Sequence, residues 1–560
     1  MASAHPHPLQ TIGQAVGAAG AKLTGVQGPG KRVDDGPYFT NNEAIPFPDP
    51  AHSKTAGGLP LVSDTFLLQK QQHFNRSKML ERMVHPCGSG AFGHFEATKD
   101  VAGLTKANFL HSPGIKTPVF VRFSTVTLGR EYPDLARNPR GFAIKFYTGE
   151  GNYDIVGLNF PVFFCRDPLQ GPDNFLLDHN SLFDLLANSP EGNHAGMMFF
   201  SDHGTPNGWR NIHGYGCHTF KWVNTDGNFV YIKYHFLADH GQKQFTADEA
   251  LRYGGEDADY SKRDLWQAIE KGEQISWTAY VQLGFDPFDV TKVWPKKQFP
   301  LQEFGNMVLN KNPENFHRDV EQAAFSPGSM VPGIEDSPDP LLQFRMFFPN
   351  ITVSESIYIR SQVATFHFTH TPSDRIRLTE SVNCPFMAAS YSSLNFDGPL
   401  RVDANHGMNP QYAPNSFVHK FRPDTAETPY QLADKTVARK SHFYHEGKPS
   451  EYEQPRILYK KVMNATQRQH LHSNTARLLK LVEYPEIQVK YLVQLLRIAP
   501  EYARGVFDLL PVENRKFRFA DVEGRAGGAE VMGKEGKFVP SVESDKLVGL
   551  SPGMAIYGAA

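Results

Sequence analysis

The sequence predicts an α+β protein: an antiparallel β-barrel or sandwich behind an N-terminal arm, then a long wrapping segment and a small C-terminal helical domain. Three observations carry that prediction. Strand-like stretches follow one another without the intervening helices that a doubly wound sheet requires. From about residue 289 to 428 the chain becomes Pro- and Asn-rich and loses regular pattern, and a compact protein keeps so much irregular chain where it wraps something. After Asn464 the apolar spacing turns helical.

The elements follow in order. Residues 1–62, with "GVQGPGKRVDDGPYF" and "PFPDPAHSKTAGGLP", supply turns but no sustained period and read as an extended arm. "FLLQKQQHFNRSK" suits a short helix over residues 66–78. Strands are expected at "PVFVRFSTV", "GFAIKFYTG", "DIVGLNFPVFF" and "ISWTAYVQLGF", each rich in β-branched and aromatic residues. Between His218 and Phe236, Asp226-Gly227 can supply the positive φ angles of a tight hairpin turn. In "PEIQVKYLVQLLRIAP", Pro485 suits a first helical turn, while Ile487, Tyr491, Leu492, Leu495 and Leu496 share one apolar face. The expected divisions are an arm at 1–62, a barrel at 63–288, a wrapping segment at 289–428, a helical domain at 429–510 and a loosely ordered polar tail at 511–560.

Charge narrows the function. With 57 basic against 59 acidic residues, no broad field exists to attract nucleic acid or a membrane surface, so a small molecule is the expected partner. Cys87, Cys165, Cys217 and Cys384 are far apart and form no CxxC pair, which argues against a zinc ribbon or a disulfide framework. No apolar run approaches a membrane span, the N-terminus lacks a secretory pattern, and the ending "IYGAA" is not a peroxisomal address. The expectation is an intracellular protein, cytoplasmic rather than peroxisomal. The 42 Phe, 21 Tyr and 23 His suit a large aromatic core, or a pocket for a flat cofactor.

The stretch "FNRSKMLERMVHPCGSGAFGHFE" sets His85 three residues after Arg82 and ahead of a run of glycine, serine and alanine. Small residues allow a large flat group near the backbone, and a histidine held beside it is suited to proton transfer.

This stretch, followed by "VRFSTV", "RNPRGFAIKFYTGEGNYDIVG", "PVFFCRDP", "GYGCHTFKWVN", "FDVTKVWPKKQFP", "GIEDSPDPLLQFR" and "VNCPF" in that order, resembles the monofunctional heme catalases. The resemblance implies the catalase fold, with a heme-binding antiparallel barrel and a homotetramer. It makes His85 the distal catalytic histidine, Ser124 the hydroxyl that orients it, and Val84 its apolar neighbour over the porphyrin. Arg82, Arg122 and Arg345 would serve the cofactor, whose buried propionates demand cationic partners. The glycines after His85 would make room for the porphyrin edge.

The departures bear on the reaction. Where the family has "VGNNTP" this chain has "VGLNFP", so Leu158 replaces the asparagine that hydrogen-bonds peroxide, with Asn159 and Phe160 beside it in the expected pocket. Losing one such bond should cost about 1–3 kcal/mol, roughly ten- to a hundredfold in rate. Gly171 and Asn174, in "LQGPDNF", stand where two phenylalanines usually line the access channel. In "QFRMFFPNITVSESIYIRSQVATFHFTHTPSDRIR" the family's tyrosinate ligand is displaced; Tyr358 is the preferred axial ligand by type, with His367 and His370 as rivals. An NADPH site is matched by His194 and Trp294, whereas His203, Leu237 and Lys296 replace its usual partners.

"SPDPLLQFRMFF" and "SYSSLNFDGPLRVDANHGMNPQYAPNSF" are similar to fungal catalase-like enzymes of ergot-alkaloid pathways, which cyclise N-methylated dimethylallyltryptophan oxidatively to chanoclavine. The leading expectation is a heme-dependent oxidase of that kind, acting with peroxide or another reduced oxygen species. The alternatives are a peroxide-dismutating catalase and a heme-free scaffold.

Overall fold

The computed structural model describes residues 38–40, 45, 49, 51–76, 82, 84–170, 178–284, 287–346, 391–393, 416, 430–432, 435–439 and 451–528. Ten strands form its main sheet: β1 (Gly88–Ala97), β2 (Lys116–Thr125), β3 (Arg140–Thr148), β4 (Gly151–Leu158), β5 (Gly214–Tyr215), β6 (Phe220–Val223), β7 (Phe229–Ala238), β8 (Ile275–Gly284), β9 (Gln302–Lys311) and β10 (Ile334–Asp336). Eight of them close into an antiparallel barrel in the order β8-β9-β1-β2-β3-β4-β5-β7, with β7 returning to β8, while β6 and β10 extend the sheet from β7. The barrel expected from the sequence is therefore present, and the sandwich is not.

Alternation along the strands decides what faces inward. Val119, Val121 and Phe123 of β2 join Phe142, Ile144 and Phe146 of β3 in one buried core that also holds Trp209, Trp222 and Trp277. Rings meet edge to face, as at Phe123–Phe142 (centroids 5.2 Å apart) and Phe142–Trp277 (5.6 Å). The intervening residues Arg122 and Ser124 consequently lie on the outer face, although both are only 4% and 2% exposed. Other chain segments must cover them.

The hairpin falls where expected, with Phe229 opposite Val223 and Gly227 at φ +83°. Residues 63–288 do not close the barrel, however. β9, inside the segment read as irregular wrapping, supplies the strand between β8 and β1. Its pattern is masked by a bulge: Gly305 pairs with Ala279 and Glu303 with Tyr280, so Phe304 is an extra residue and the buried positions Phe304, Met307 and Leu309 do not alternate.

Helix α1 (Thr65–Arg76) precedes the barrel. Between strands lie α2 (His179–Asn188), α3 (Asn193–Phe200), α4 (Ala247–Glu256) and α5 (Tyr260–Glu270), and α6 (Pro340–Arg345) follows β10. The C-terminal helices are α7 (Glu453–Ile457), α8 (Ala465–Leu479), α9 (Pro485–Ile498), α10 (Pro500–Leu509) and α11 (Phe519–Gly528). Asn464 caps α8 through Gln467 in a reciprocal box, and Pro485 begins α9. The tail expected after residue 510 contains α11, whose Val522 is fully buried and whose Phe519 packs 5.2 Å from Phe507. Two apolar residues in a short Gly-rich sequence gave too weak a period to read as a helix.

Candidate active site

Register brings the site together. Gly88 lies opposite Ser124, Ser124 opposite Gly141, Gly141 opposite Leu158 and Leu158 opposite Tyr215. Directly paired residues share a face, so these five form one row across the outer wall. A second row, Arg122–Ala143–Val156, runs beside it. Half-buried Ala143, Val156 and Leu158 make an apolar shelf next to a polar end formed by Ser124 and Arg122.

His85 stands over the first row. Its Nδ1 is 2.9 Å from Ser124 Oγ, and its backbone N–H donates to the Val126 carbonyl at 2.6 Å. The residue has φ +65°, in the left-handed region, a conformation that costs a non-glycine residue energy and that is tolerated where position matters. A Cβ on Gly141 would come within 2.4 Å of Ser124 Oγ and 2.5 Å of His85 Nδ1. Gly141 is thus the residue that admits the imidazole. Burial first, then the guanidinium groups of Arg122, Arg345 and Arg82, push the imidazole of His85 down to about 3, so it is a neutral ring at ordinary pH.

The glycines after His85 lie close to neighbouring strands. A Cβ on Gly88 would meet the Phe123 carbonyl and the Arg122 guanidinium, one on Gly90 the Phe120 ring and the Val121 carbonyl, and one on Gly93 the Val308 carbonyl. They permit close strand contact and seat the arginine.

Arg122 donates from Nη1 to the His85 carbonyl (2.9 Å) and from Nη2 to the Pro86 carbonyl (3.3 Å), while its buried Nε has no hydrogen-bond partner among the described residues. Arg82 donates from Nη2 to the carbonyls of Val320, Glu321 and Ala323. Val84 is half-buried at the same turn. On the other side, Asp339 caps α6 by accepting from the N–H groups of Leu341 and Leu342 and also receives His218 Nδ1–H at 2.8 Å. Arg345, at the end of α6, donates to His218 Nε2 at 2.6 Å. An arginine can only donate, so His218 is neutral with its proton on Nδ1, in keeping with the burial that lowers its pKa. His218 and Asp339 were missing from the expected site; "SPDP", an aspartate before a proline at a helix start, was the sequence signal for Asp339.

Leu158 lies in the row beside the His85–Ser124 pair. Asn159 is not in the pocket: its Oδ1 accepts from Arg140 N–H (2.7 Å), its Nδ2 donates to the His203 carbonyl, and it is 3% exposed. Phe160 is buried, its carbonyl within 3.6 Å of Cys217 Sγ. Gly171, Asn174, Tyr358, His367 and His370 lie outside the described residues. His194 and Trp294 are both buried, Trp294 against Gly284 and beneath Lys233 Nζ, so the NADPH expectation gains no support from them. Leu237 is a half-buried residue of β7, Lys296 is exposed, and His203 Nδ1 approaches Ser201 Oγ at 3.4 Å.

The donor set fits heme. Among the described residues none of Arg82, Arg122 and Arg345 forms an ion pair, and buried guanidinium groups without a counter-charge are costly. Two carboxylates beside a flat apolar body would satisfy both the arginines and the shelf. A neutral histidine, a hydroxyl on one ring nitrogen and cations at a flat apolar wall make a site that would suit a flat anionic cofactor such as heme.

Comparison with known proteins gives the family. The family model described as Catalase matches residues 40–419, and that described as Catalase-related immune-responsive matches residues 445–510. The chain is 42% identical over 463 residues to the catalase of Methanosarcina barkeri, covering 78% of this chain and 86% of that one. It is 36% identical over 536 residues to the catalase of Ascaris suum, covering 92% and 94%. A solved fungal catalase superposes with a TM-score of 0.61 at 35% identity over 86% of this chain and 99% of that one. Catalase A from Saccharomyces cerevisiae gives 0.59 at 32% identity, covering 84% and 98%. The chain belongs to the catalase family. It is an oxidoreductase of the catalase fold, and no helix among the described residues is long and apolar enough to cross a membrane.

Proposed function

We propose that this protein is a heme b-dependent oxidoreductase that consumes hydrogen peroxide, as its relatives named catalase suggest. The observation that carries this reading is the His85 imidazole, neutral, tethered to Ser124, and under the positive field of Arg122, Arg345 and Arg82, none of which forms a direct ion pair among the described residues. Arg82, Arg122 and Arg345 would hold the cofactor, and Val84, Ala143 and Val156 would lie against it. The bound heme supplies the redox chemistry. His85 accepts a proton from one peroxide oxygen and returns it to the other, with Ser124 fixing the ring through Nδ1 so that Nε2 faces the substrate. The Asp339–His218–Arg345 chain would hold the third positive charge at a fixed place, within electrostatic reach of His85. Purified protein should show a Soret band at one heme per chain and evolve oxygen from peroxide. His85→Ala should retain the band and lose at least about a hundredfold in rate, the scale of a general acid–base group; unchanged oxygen evolution would refute the role.

Leu158 favours a second reading, in which an organic substrate takes over as electron donor. An aliphatic group beside His85 removes the amide expected to orient peroxide and offers contact to an apolar molecule. On this reading the substrate is N-methyl-dimethylallyltryptophan and the product chanoclavine, as in the ergot-alkaloid enzymes that the sequence resembles. Mass spectrometry of product, run beside oxygen evolution on one preparation, separates the two. A homotetramer and a cytoplasmic address complete the proposal, checked by light scattering at four chains per particle and by cell fractionation.

A further inference from the structure

The cations around His85 have an internal competitor, and the inference drawn from it rests on the heme reading above. Residues His317–Glu321 form a single π turn. Fully buried Val320 anchors the turn, and Asp319 closes its start by accepting from the N–H groups of Glu314 and Asn315. Its end offers Arg82 Nη2 three carbonyl oxygens, of Val320, Glu321 and Ala323, at 3.3, 2.5 and 2.9 Å. The Glu321 carboxylate extends from the same turn. Oε1 is 3.2 Å from Arg130 Nη1, and Oε2 is buried with no hydrogen-bond partner among the described residues.

A buried carboxylate oxygen without a donor is costly unless nearby positive charge compensates it. Arg82, which donates to the main-chain carbonyl of Glu321 itself, brings positive charge to the same turn, and Arg122 adds to it. Two incoming carboxylates of a cofactor would meet the same two arginines. Arg130 holds one oxygen of the competitor and draws it aside.

We propose that Glu321 is a built-in counter-anion of the cofactor cradle, held by Arg130, and that the Arg130–Glu321 pair sets how tightly Arg82 and Arg122 grip an anionic porphyrin. Glu321 is a positioning residue in this account, because it acts through the two arginines. Glu321→Gln keeps the shape and an acceptor for Arg130 but removes the charge. Arg130→Met leaves the carboxylate to Arg82 and Arg122 alone.

The test is the rate of hemin loss from the holoenzyme to excess apomyoglobin at low salt, followed at the Soret band. E321Q should slow loss by about fivefold and R130M should speed it by a similar factor, the effect of one partly buried charge. The double variant should behave like E321Q. A merely structural role would make both single variants lose hemin faster and their effects add. E321Q losing hemin as fast as wild type or faster, with unchanged circular dichroism, would overturn the proposal; so would an R130M effect that persists in the double variant. Should E321Q fail to fold, slower or unchanged loss from R130M overturns it alone. Wild-type protein without a Soret band would overturn the heme reading itself, and this inference with it.

Discussion

Leu158 is one residue on which the choice between reactions turns. It pairs with Gly141, the position that admits His85, so a polar side chain there would lie within the same row as the imidazole. Leu158→Asn should raise oxygen evolution by about tenfold, the value of one restored hydrogen bond, measured with an oxygen electrode; if organic oxidation is the natural reaction, product formation should fall in the same variant. Ser124→Ala should retain heme and lower the rate by about tenfold, since one hydrogen bond of about 1.4 kcal/mol holds the ring. His85, Ser124, Arg82 and Arg122 could be singled out from the sequence because each sits in a short ordered motif, and hydrogen bonds join the first two and Arg122 in the fold. Asn159 was misjudged because a strand ends at Leu158, where alternation no longer tells which way the next side chain turns. His218 escaped notice because its partners, Asp339 and Arg345, lie more than a hundred residues away.

Among the elements, the paired rows of β1 to β5 matter more than any single strand, because they set a catalytic side chain on an outer wall that would otherwise be solvent. Gly141→Ala should displace the imidazole: the added carbon meets two side-chain atoms at under 2.6 Å. The expected result is a folded, heme-containing protein whose rate falls toward that of His85→Ala, checked by circular dichroism and oxygen evolution together. Helix α6 works on a smaller scale. Asp339→Ala removes two cap hydrogen bonds and the acceptor of a buried histidine, and should destabilise the fold by about 2–4 kcal/mol, read from denaturant unfolding. The sequence was readable for strands β2, β3 and β8 and for helix α9, whose apolar periods are clean. It was not readable for β9, where the bulge at Phe304 breaks the period, nor for α2 and α3, short helices buried along most of their length; α4 and α5 do present one buried and one exposed face, and the capping pair Thr246 and Glu249 was the overlooked signal for α4.

Across the whole molecule, buried charge ties distant segments together. Arg166 bridges Asp289 (3.0 Å) and Glu451 (2.6 Å), and Lys292 also reaches Glu451, so chain from before, within and after the irregular stretch meets at one point. Although burial would raise it, Arg166 and Lys292 hold the Asp289 carboxyl at about 2. Arg166→Met should cost about 3–5 kcal/mol by stranding those carboxylates, visible as a lower unfolding midpoint. At milder pH, acid sensitivity comes from histidines. Burial holds His194 and His235 at about 4, below their value of about 6.5 in the unfolded chain. The unfolded state therefore binds protons first as pH falls: stability is full above about 6.5 and declines toward about 4, by about 1.4 kcal/mol per pH unit for each histidine. His194→Gln should make the slope between pH 6 and pH 5 shallower by about one proton, measured by guanidinium unfolding. Closure of the barrel by β9 has a further consequence for biogenesis. During synthesis the edge of β1 stays unpaired from the emergence of Ala97 until Lys311 has left the ribosome, and that of β8 joins it after Gly284, so a nascent chain carries a sticky border through a long stretch of its translation, and a cell making this protein in quantity gains from chaperones that shield it.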